Sequence, residues 1–280
     1  MSNTKCGWTV SQGQRLRELN APENVLEQQF PTERERNMNF LELEQTYVRQ
    51  SREHLRKLRE NRRRPRLCEL EEALAKALRK AGFVQVVTPI LISKTSLDKM
   101  SIRSEHKLYK QVFWVGDKKC LRPMLASNLY SLLRKLEKIW VKPIRIFEVG
   151  PCFRKDTAGK HHMNEFTMLN LVEMGLPVKT GQRRLKELAD MVMKTSGIKD
   201  YRTVTHKSEV YGQTIDFVAG IELASGVIGP HPLDSRWGIT DPWVGIGFGL
   251  ERLLMVRENF GNIQRAGRAL LYLDGERLNI

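Results

Sequence analysis

The chain has 280 residues, of which 41% are hydrophobic, 28% charged and 8% aromatic. That usage excludes a disordered chain, a collagen or a coiled-coil rod. Lysine and arginine number 47 against 32 acids, a formal +15, so a polyanion is the first partner to look for. No stretch reaches the ~18 apolar residues of a bilayer-spanning helix, so no membrane role is expected. The first twenty residues lack the apolar centre of a secretory signal, so residence in the cytoplasm is expected. Cys6, Cys68, Cys120 and Cys152 are scattered without a C-x-x-C pair, which argues against a zinc knuckle or a disulfide framework.

Between Arg49 and Arg66 lie nine basic and two acidic residues. Nearly half of the excess charge therefore sits in one short stretch. Apolar Phe40, Leu41, Leu43, Tyr47, Val48, Leu55 and Leu58 recur mostly three or four residues apart, so the segment predicts one long amphipathic helix with a cationic face. Such a face is either a solvated helix surface or a phosphate-tracking one, and the arginine density favours RNA. After Pro65, Leu67, Leu70, Leu74, Ala77 and Leu78 form the stripe of a second helix, acidic early and basic late, which Gly82 ends. A β-rich strand follows from Phe83 to Pro89.

Further strands are expected at Gln111–Val115, Ile144–Gly150, Glu165–Met174, Thr214–Val218, Ile221–Ile228 and Trp243–Gly249. Helices are expected at Ser127–Glu137, Thr180–Ser196 and Leu250–Asn259. Because the strands cluster instead of alternating with helices, the expected fold is α+β, a mostly antiparallel sheet flanked by helices. Its expected division is a basic, helical N-terminal region over 1–64 and the sheet domain over 65–280.

Three local patterns carry chemistry. In the strand from Trp243, Gly245, Gly247 and Gly249 share one face with the indole, and Val244, Ile246 and Phe248 take the other. A flat ligand fits against such a bare face, whereas alternating glycines would otherwise only weaken the strand. Neither the G-x-G-x-x-G fingerprint nor a P-loop occurs. In the strand from Glu165, Asn170 is a lone amide in the row Phe166, Met168, Val172, Met174. It needs either a structural partner or a ligand, and the residues leave both open. In the strand from Ile221, Glu222 is costly unless a metal or an arginine answers it.

Taken together these patterns resemble the three class II aminoacyl-tRNA synthetase motifs in order. The helix, strand and proline ending at Pro89 resemble motif 1, Phe153-Arg154-Lys155-Asp156 motif 2, and Gly245-Ile246-Gly247-Phe248-Gly249-Leu250-Glu251-Arg252 motif 3. The strings Leu121-Arg122-Pro123-Met124-Leu125-Ala126, Glu165-Phe166-Thr167-Met168-Leu169-Asn170 and Pro242-Trp243 narrow this to a resemblance to the pyrrolysyl-tRNA synthetases from about Ser11 onward. It resembles their shorter form, in which no separate N-terminal tRNA-binding domain or anticodon-binding domain is expected.

The resemblance implies an enzyme that joins pyrrolysine to ATP and transfers it to the 3′ end of the amber-decoding tRNA(Pyl). It implies Arg154 on the α-phosphate and carboxylate, Arg252 on the γ-phosphate, and Glu222 and Ser225 as holders of Mg2+. Asp156, Phe166 and Leu223 complete the ATP site, with Asp156 standing where glutamate is usual. The amino-acid pocket maps to Ala126, Leu129, Tyr130, Leu133, Asn170, Val172, Tyr211, Trp243 and Gly245. On a helix Ala126, Leu129, Tyr130 and Leu133 share a face, and Ser127 replaces a common proline, which alters the helix cap. Glu222 and Ser225 would alternate to opposite strand faces, so a bulge or strand end is expected near Ala224.

Phosphate contacts to tRNA are expected from Arg49, Arg52, Arg56, Arg62, Arg63 and Arg64, and from Arg265 and Arg268 in the tail. His161 and His162 would approach the acceptor end. Motif 1 implies a homodimer with Lys76 to Pro89 in or near the interface. A phenylalanyl-type catalytic chain and a non-catalytic RNA-binding paralogue are the alternatives. The first suits Asn170 poorly, and the second would be expected to lose a phosphate arginine.

Overall fold

The computed structural model describes residues 5–155, 159–208 and 210–280. The chain begins with helices α1 (Val10–Glu18), α2 (Glu23–Leu26) and α3 (Glu33–Lys57). Thr9 and Gln12 form a reciprocal capping box on α1, and Thr32 accepts from the Glu35 amide to start α3. Leu16, Ala21 and Val25 form a small core of their own with Trp8, Leu26, Phe40, Leu43 and Tyr47. The expected long helix therefore exists, starting earlier than the apolar pattern. It ends in a π-helical turn, Leu58–Arg62.

Helix α4 (Arg66–Lys80) follows Pro65, and Gly82 at φ +84° lets the Gly82 and Phe83 amides return to the Arg79 and Leu78 carbonyls. That is the glycine-dependent stop the sequence announces. Strand β1 (Val84–Gln85) is only a short parallel partner of the later strand β4, and Thr88 and Pro89 lie beyond it. The expected strand to Pro89 is thus mostly irregular. Strand β2 (Leu91–Ser93), helices α5 (Lys94–Lys99) and α6 (Lys107–Lys110), and strand β3 (Lys119–Leu121) come next. The strand expected at Gln111–Val115 does not form; only Trp114 bridges Cys120, because Tyr109 and Trp114 pack their rings against each other in a loop.

Helix α7 (Ala126–Leu136) precedes a ten-residue antiparallel pair, β4 (Ile144–Phe153) and β5 (Glu165–Met174). Ser127 does not cap α7, and its hydroxyl is buried without a hydrogen-bond partner. Helix α8 (Gly181–Thr195), strands β6 (Arg202–Ser208), β7 (Gly212–Ala219), β8 (Ile221–Gly229) and β9 (Trp243–Gly249), helix α9 (Leu250–Arg257) and the small pair β10 (Tyr272–Leu273) and β11 (Glu276–Arg277) complete the order. The main sheet runs β1-β4-β5-β9-β8-β7-β6, antiparallel at every step except β1 with β4.

Strand alternation divides the sheet between two cores. Phe147, Leu169, Leu171, Val244, Ile246 and Phe248 face α4, α8 and α9, and Ile144, Ile146, Val172, Met174 and Trp243 face the layer carrying α5 and α7. The first layer is continuous. The second leaves a cavity over the middle strands, and the candidate site lies there. Among the described residues no helix is long and apolar enough to cross a membrane.

Candidate active site

The cavity holds about 530 Å³. Its floor is the glycine face of β9, which sits centrally between β5 and β8, with Gly247 opposite both Asn170 and Ser225. A Cβ at Gly247 would stand 2.7 Å from Asn170 Oδ1, so the absent side chain is what lets the amide reach the cavity. Trp243 covers Gly229, where a Cβ would meet the indole 2.0 Å away. Three alternating glycines in a central strand are thus explained by close approach of neighbours and open space above them, not by an edge.

Charge gathers at one end. Arg154 leaves the end of β4, donates from Nε to the Pro123 carbonyl at 2.9 Å, and lies over the Phe166 ring at 5.3 Å. Arg252, from the first turn of α9, donates to the Glu222 carbonyl at 3.0 Å and stands 3.7 Å from its carboxylate. The arginine pairing considered for Glu222 therefore exists. It is loose, and the Glu222 side chain stays 51% exposed at the cavity. Burial, then Lys160 and Arg252, hold the His161 imidazole below its ordinary range, and His161 and His162 both line the cavity. Glu251 is buried under the site, accepts from the Thr167 amide at 2.8 Å, and is pushed upward by desolvation.

Ladder pairing of Phe217 with Ala224 and of Val218 with Glu222 leaves Leu223 as an extra residue in β8. This is the expected bulge, and it brings Glu222 and Ser225 to the same cavity. Ser225 Oγ donates to Asp216 at 2.7 Å, which leaves its lone pairs available. Among the described residues no three His, Cys, Asp or Glu form a metal cage. A carboxylate and a hydroxyl of this kind fit Mg2+, a hard ion that is usually held by one or two protein oxygens with phosphates and water.

The other end is apolar. Ala126, Leu129, Tyr130 and Leu133 present one face of α7, opposite Asn170, Val172, Gly245 and Trp243, with Tyr211 at the rim of the wall. Asn170 is 9% exposed, and its side-chain amide makes no hydrogen bond among the described residues. Tyr130 stacks on Trp237 with centroids 5.4 Å apart and meets Trp243 edge-on at 5.5 Å. Burial raises the Tyr130 and Tyr211 phenols well above their usual range, so both are neutral donors.

A buried fork fixes the segment between the two ends. Arg122 is 2% exposed and donates to the Glu148 carboxylate at 2.7 Å, to the Pro151 carbonyl at 2.8 Å and to the Thr88 carbonyl at 3.1 Å. Thr88 donates back to Glu148 through its amide and hydroxyl. The end of motif 1 is thereby tied to the strand that carries Arg154.

Every ATP and amino-acid residue expected from the sequence lines this cavity except Asp156, which lies outside the described residues. The basic residues behave differently. Arg49, Arg52 and Arg56 line a groove on α3, and Arg63 is exposed. Arg56 pairs with Glu53 and Glu60, Arg62 with Asp274 and Glu69, and Arg64 with Glu72. Arg265 corrects an expectation. It is 4% exposed and donates to the Gly275, Arg17 and Glu18 carbonyls, so it docks the tail on the end of α1 and is closed to phosphate. Arg268 is partly spent on Thr167 and Glu165.

Asp216, Asp234, His106 and His206 escaped the sequence reading. All but Asp234 line the cavity, and Asp234 lies directly behind it. Asp234 sits in a short turn after β8 where no periodicity marks it. Asp216 could have been found as the acid opposite Ser225 once the bulge was placed.

Comparison with known proteins supplies the family. The tRNA synthetases class II core domain (F) model matches residues 54–269. A crystal structure of pyrrolysyl-tRNA synthetase from Desulfitobacterium hafniense is 53% identical, superposes with a TM-score of 0.93 and covers 100% of both chains. A structure of Desulfitobacterium hafniense PylSc, a pyrrolysyl-tRNA synthetase, is 52% identical at a TM-score of 0.91, over 100% of this chain and 98% of that one. O-phosphoserine--tRNA(Cys) ligase of Methanococcus vannielii is 25% identical over 169 residues, 56% of this chain. The chain spans 31% of that relative's length. Motifs 2 and 3 meeting at one cavity, a matching core over most of the chain and full-length likeness at 53% identity place the chain in the class II aminoacyl-tRNA synthetases, among the pyrrolysyl-tRNA synthetases.

Proposed function

We propose that the chain activates pyrrolysine with ATP and transfers it to the 3′-terminal adenosine of tRNA(Pyl). The observation that carries this reading is the polarity of one cavity: two arginines at one end and an unpartnered amide inside an apolar tunnel at the other. The pyrrolysine carboxylate oxygen attacks the α-phosphorus, the bond to the bridging oxygen breaks, and pyrophosphate leaves with that electron pair. A hydroxyl of the terminal ribose then attacks the acyl carbonyl, the bond from that carbon to the phosphate oxygen breaks, and AMP departs with the electron pair as the hydroxyl proton is released.

The carboxylate is already a nucleophile, so the protein's contribution is positioning and charge stabilisation. Arg154 stands at the mouth of the β4–β5 hairpin, where its planar fork can hold carboxylate and α-phosphate together. Arg252 serves the γ-phosphate, and Phe166 and Leu223 enclose the adenosine. Glu222 and Ser225 would hold Mg2+. Bound there, the ion would neutralise phosphate charge.

Asn170 donates to the side-chain amide carbonyl of pyrrolysine, and Leu129, Leu133, Val172 and Trp243 enclose its aliphatic stem. A phenylalanyl-type pocket gives Asn170 no partner, and a non-catalytic paralogue has no need of both arginines. The tRNA backbone is assigned to Arg49, Arg52 and Arg56 on α3 and to Arg63 and Arg64 just beyond the π-helical turn, with Arg62 tied to Asp274 and Glu69 beside them. A second copy of the chain is assigned to the motif 1 end, where Val84, Val87, Ile90 and Leu91 are exposed. The site of action is the cytoplasm.

Pyrophosphate exchange into ATP tests the reading. Exchange should depend on pyrrolysine and not on phenylalanine. Exchange with phenylalanine alone, or none with either, would remove it.

A further inference from the structure

The walls of the amino-acid pocket come from four elements, α7, β5, β9 and the β6–β7 connection, and one short turn holds three of them. Asp234, 2% exposed, accepts from the Tyr130 hydroxyl at 3.0 Å through Oδ1. Its Oδ2 accepts from the Trp243 indole at 2.8 Å and from the His231 amide at 2.7 Å. His231 accepts the Leu233 amide on Nδ1 at 3.1 Å, which leaves Nε2 as the donor to the Tyr211 carbonyl. The turn therefore touches α7 through Tyr130, β9 through Trp243, and the β6–β7 connection through Tyr211.

We propose that the turn from His231 to Asp234 is a clasp that sets the shape, and so the selectivity, of the amino-acid pocket. Asp234 is a positioning residue: it lies behind the aromatic wall and acts on substrate only through Tyr130 and Trp243. Carboxylate suits the place because it is acceptor-only and answers three donors at once. Without it, an indole N–H and a phenol would be buried unsatisfied, and each would turn to find a partner. The tunnel would then widen while the phosphate end stayed as it is. This inference rests on the pyrrolysine reading.

The test is steady-state pyrophosphate exchange by full-length wild type, Asp234→Ala and Asp234→Asn, with melting temperature measured alongside. Asparagine can keep both obligate donors on its oxygen while the Tyr130 hydroxyl reverses to accept from its amide. The expected result is a ~10-fold or larger rise in the pyrrolysine KM for Asp234→Ala, an unchanged ATP KM, and near wild-type behaviour for Asp234→Asn. Asp234→Ala should also gain relative activity with lysine derivatives bearing a larger acyl group.

Unchanged pyrrolysine KM and acyl-size preference in folded Asp234→Ala would overturn the clasp, as would equal loss in ATP and pyrrolysine KM. If Asp234→Ala does not fold, Tyr130→Phe takes its place: the clasp requires a higher pyrrolysine KM with the ATP KM unmoved, and an unchanged pyrrolysine KM contradicts it. Wild type that exchanges with pyrrolysine isolates failure of the clasp; wild type that does not marks failure of the functional reading.

Discussion

The two ends of the cavity are built on opposite principles. At the phosphate end, Arg154 and Arg252 keep contact with backbone carbonyls while they face open space, and Glu222 remains half in solvent. At the amino-acid end the polar groups are buried: Asp234 answers the Tyr130 and Trp243 donors, while the Asn170 amide, the Ser127 hydroxyl and the Trp237 indole N–H have no partner among the described residues. A site for a highly charged, hydrated ligand can be held loosely because its forces are long-range. A site that must recognise one amide in an apolar tail depends on short contacts in a rigid wall.

Breaking the phosphate end should have the largest effect on rate. Arg154→Ala or Arg252→Ala should cut exchange by about 10²–10³-fold, the cost of one aimed charge-stabilising group, with melting temperature unchanged; exchange near wild type would remove the assignment. The fork between the ends should dominate stability. Arg122→Ala strands the Glu148 carboxylate at 1% exposure and should cost about 3–5 kcal/mol in urea unfolding.

At the amino-acid end, Asn170→Ala should raise the pyrrolysine KM ~10-fold or more and leave the ATP KM alone; unchanged selectivity would return Asn170 to a structural role. Charge reversal at Arg49, Arg52 and Arg63 should reach neither end. It should raise the KM for tRNA and flatten its salt dependence while adenylate formation stays intact. Smallest of all is a chemical contrast. Burial pushes the Cys152 thiol up to about 12 and the Cys120 thiol up to about 11, so at pH 8 both stay protonated and should resist iodoacetamide. The partly exposed Cys6 and Cys68 should react first.

The phosphate end was the more legible of the two in the sequence. Glycine spacing and alternation along β5 and β9 are local signals, and the resemblance that puts Glu222 and Ser225 on one ion called for a bulge near Ala224, which the ladder places at Leu223. The clasp was invisible because Asp234 and His231 act from a turn, across contacts far apart in the chain. Strand β6 was missed because Arg202–Ser208 is polar and exposed on both faces at the sheet edge, with no alternation to read. Gln111–Val115 misled for the opposite reason: its β-rich composition serves loop packing around Trp114. The arginine cluster was read as one surface; Arg62 is also tied to Asp274, which only the fold brings near, while Arg64 stays half exposed beside Glu72.

The most direct measurement of the whole account is aminoacylation of tRNA(Pyl) by the purified chain with ATP, supplied in parallel with pyrrolysine, lysine and phenylalanine. The two-ended cavity predicts that acyl-tRNA accumulates with pyrrolysine only, and that Arg154→Ala slows it by about 10²–10³-fold. Charging with phenylalanine or lysine, or pyrrolysine charging at near wild-type rate without Arg154, would contradict it.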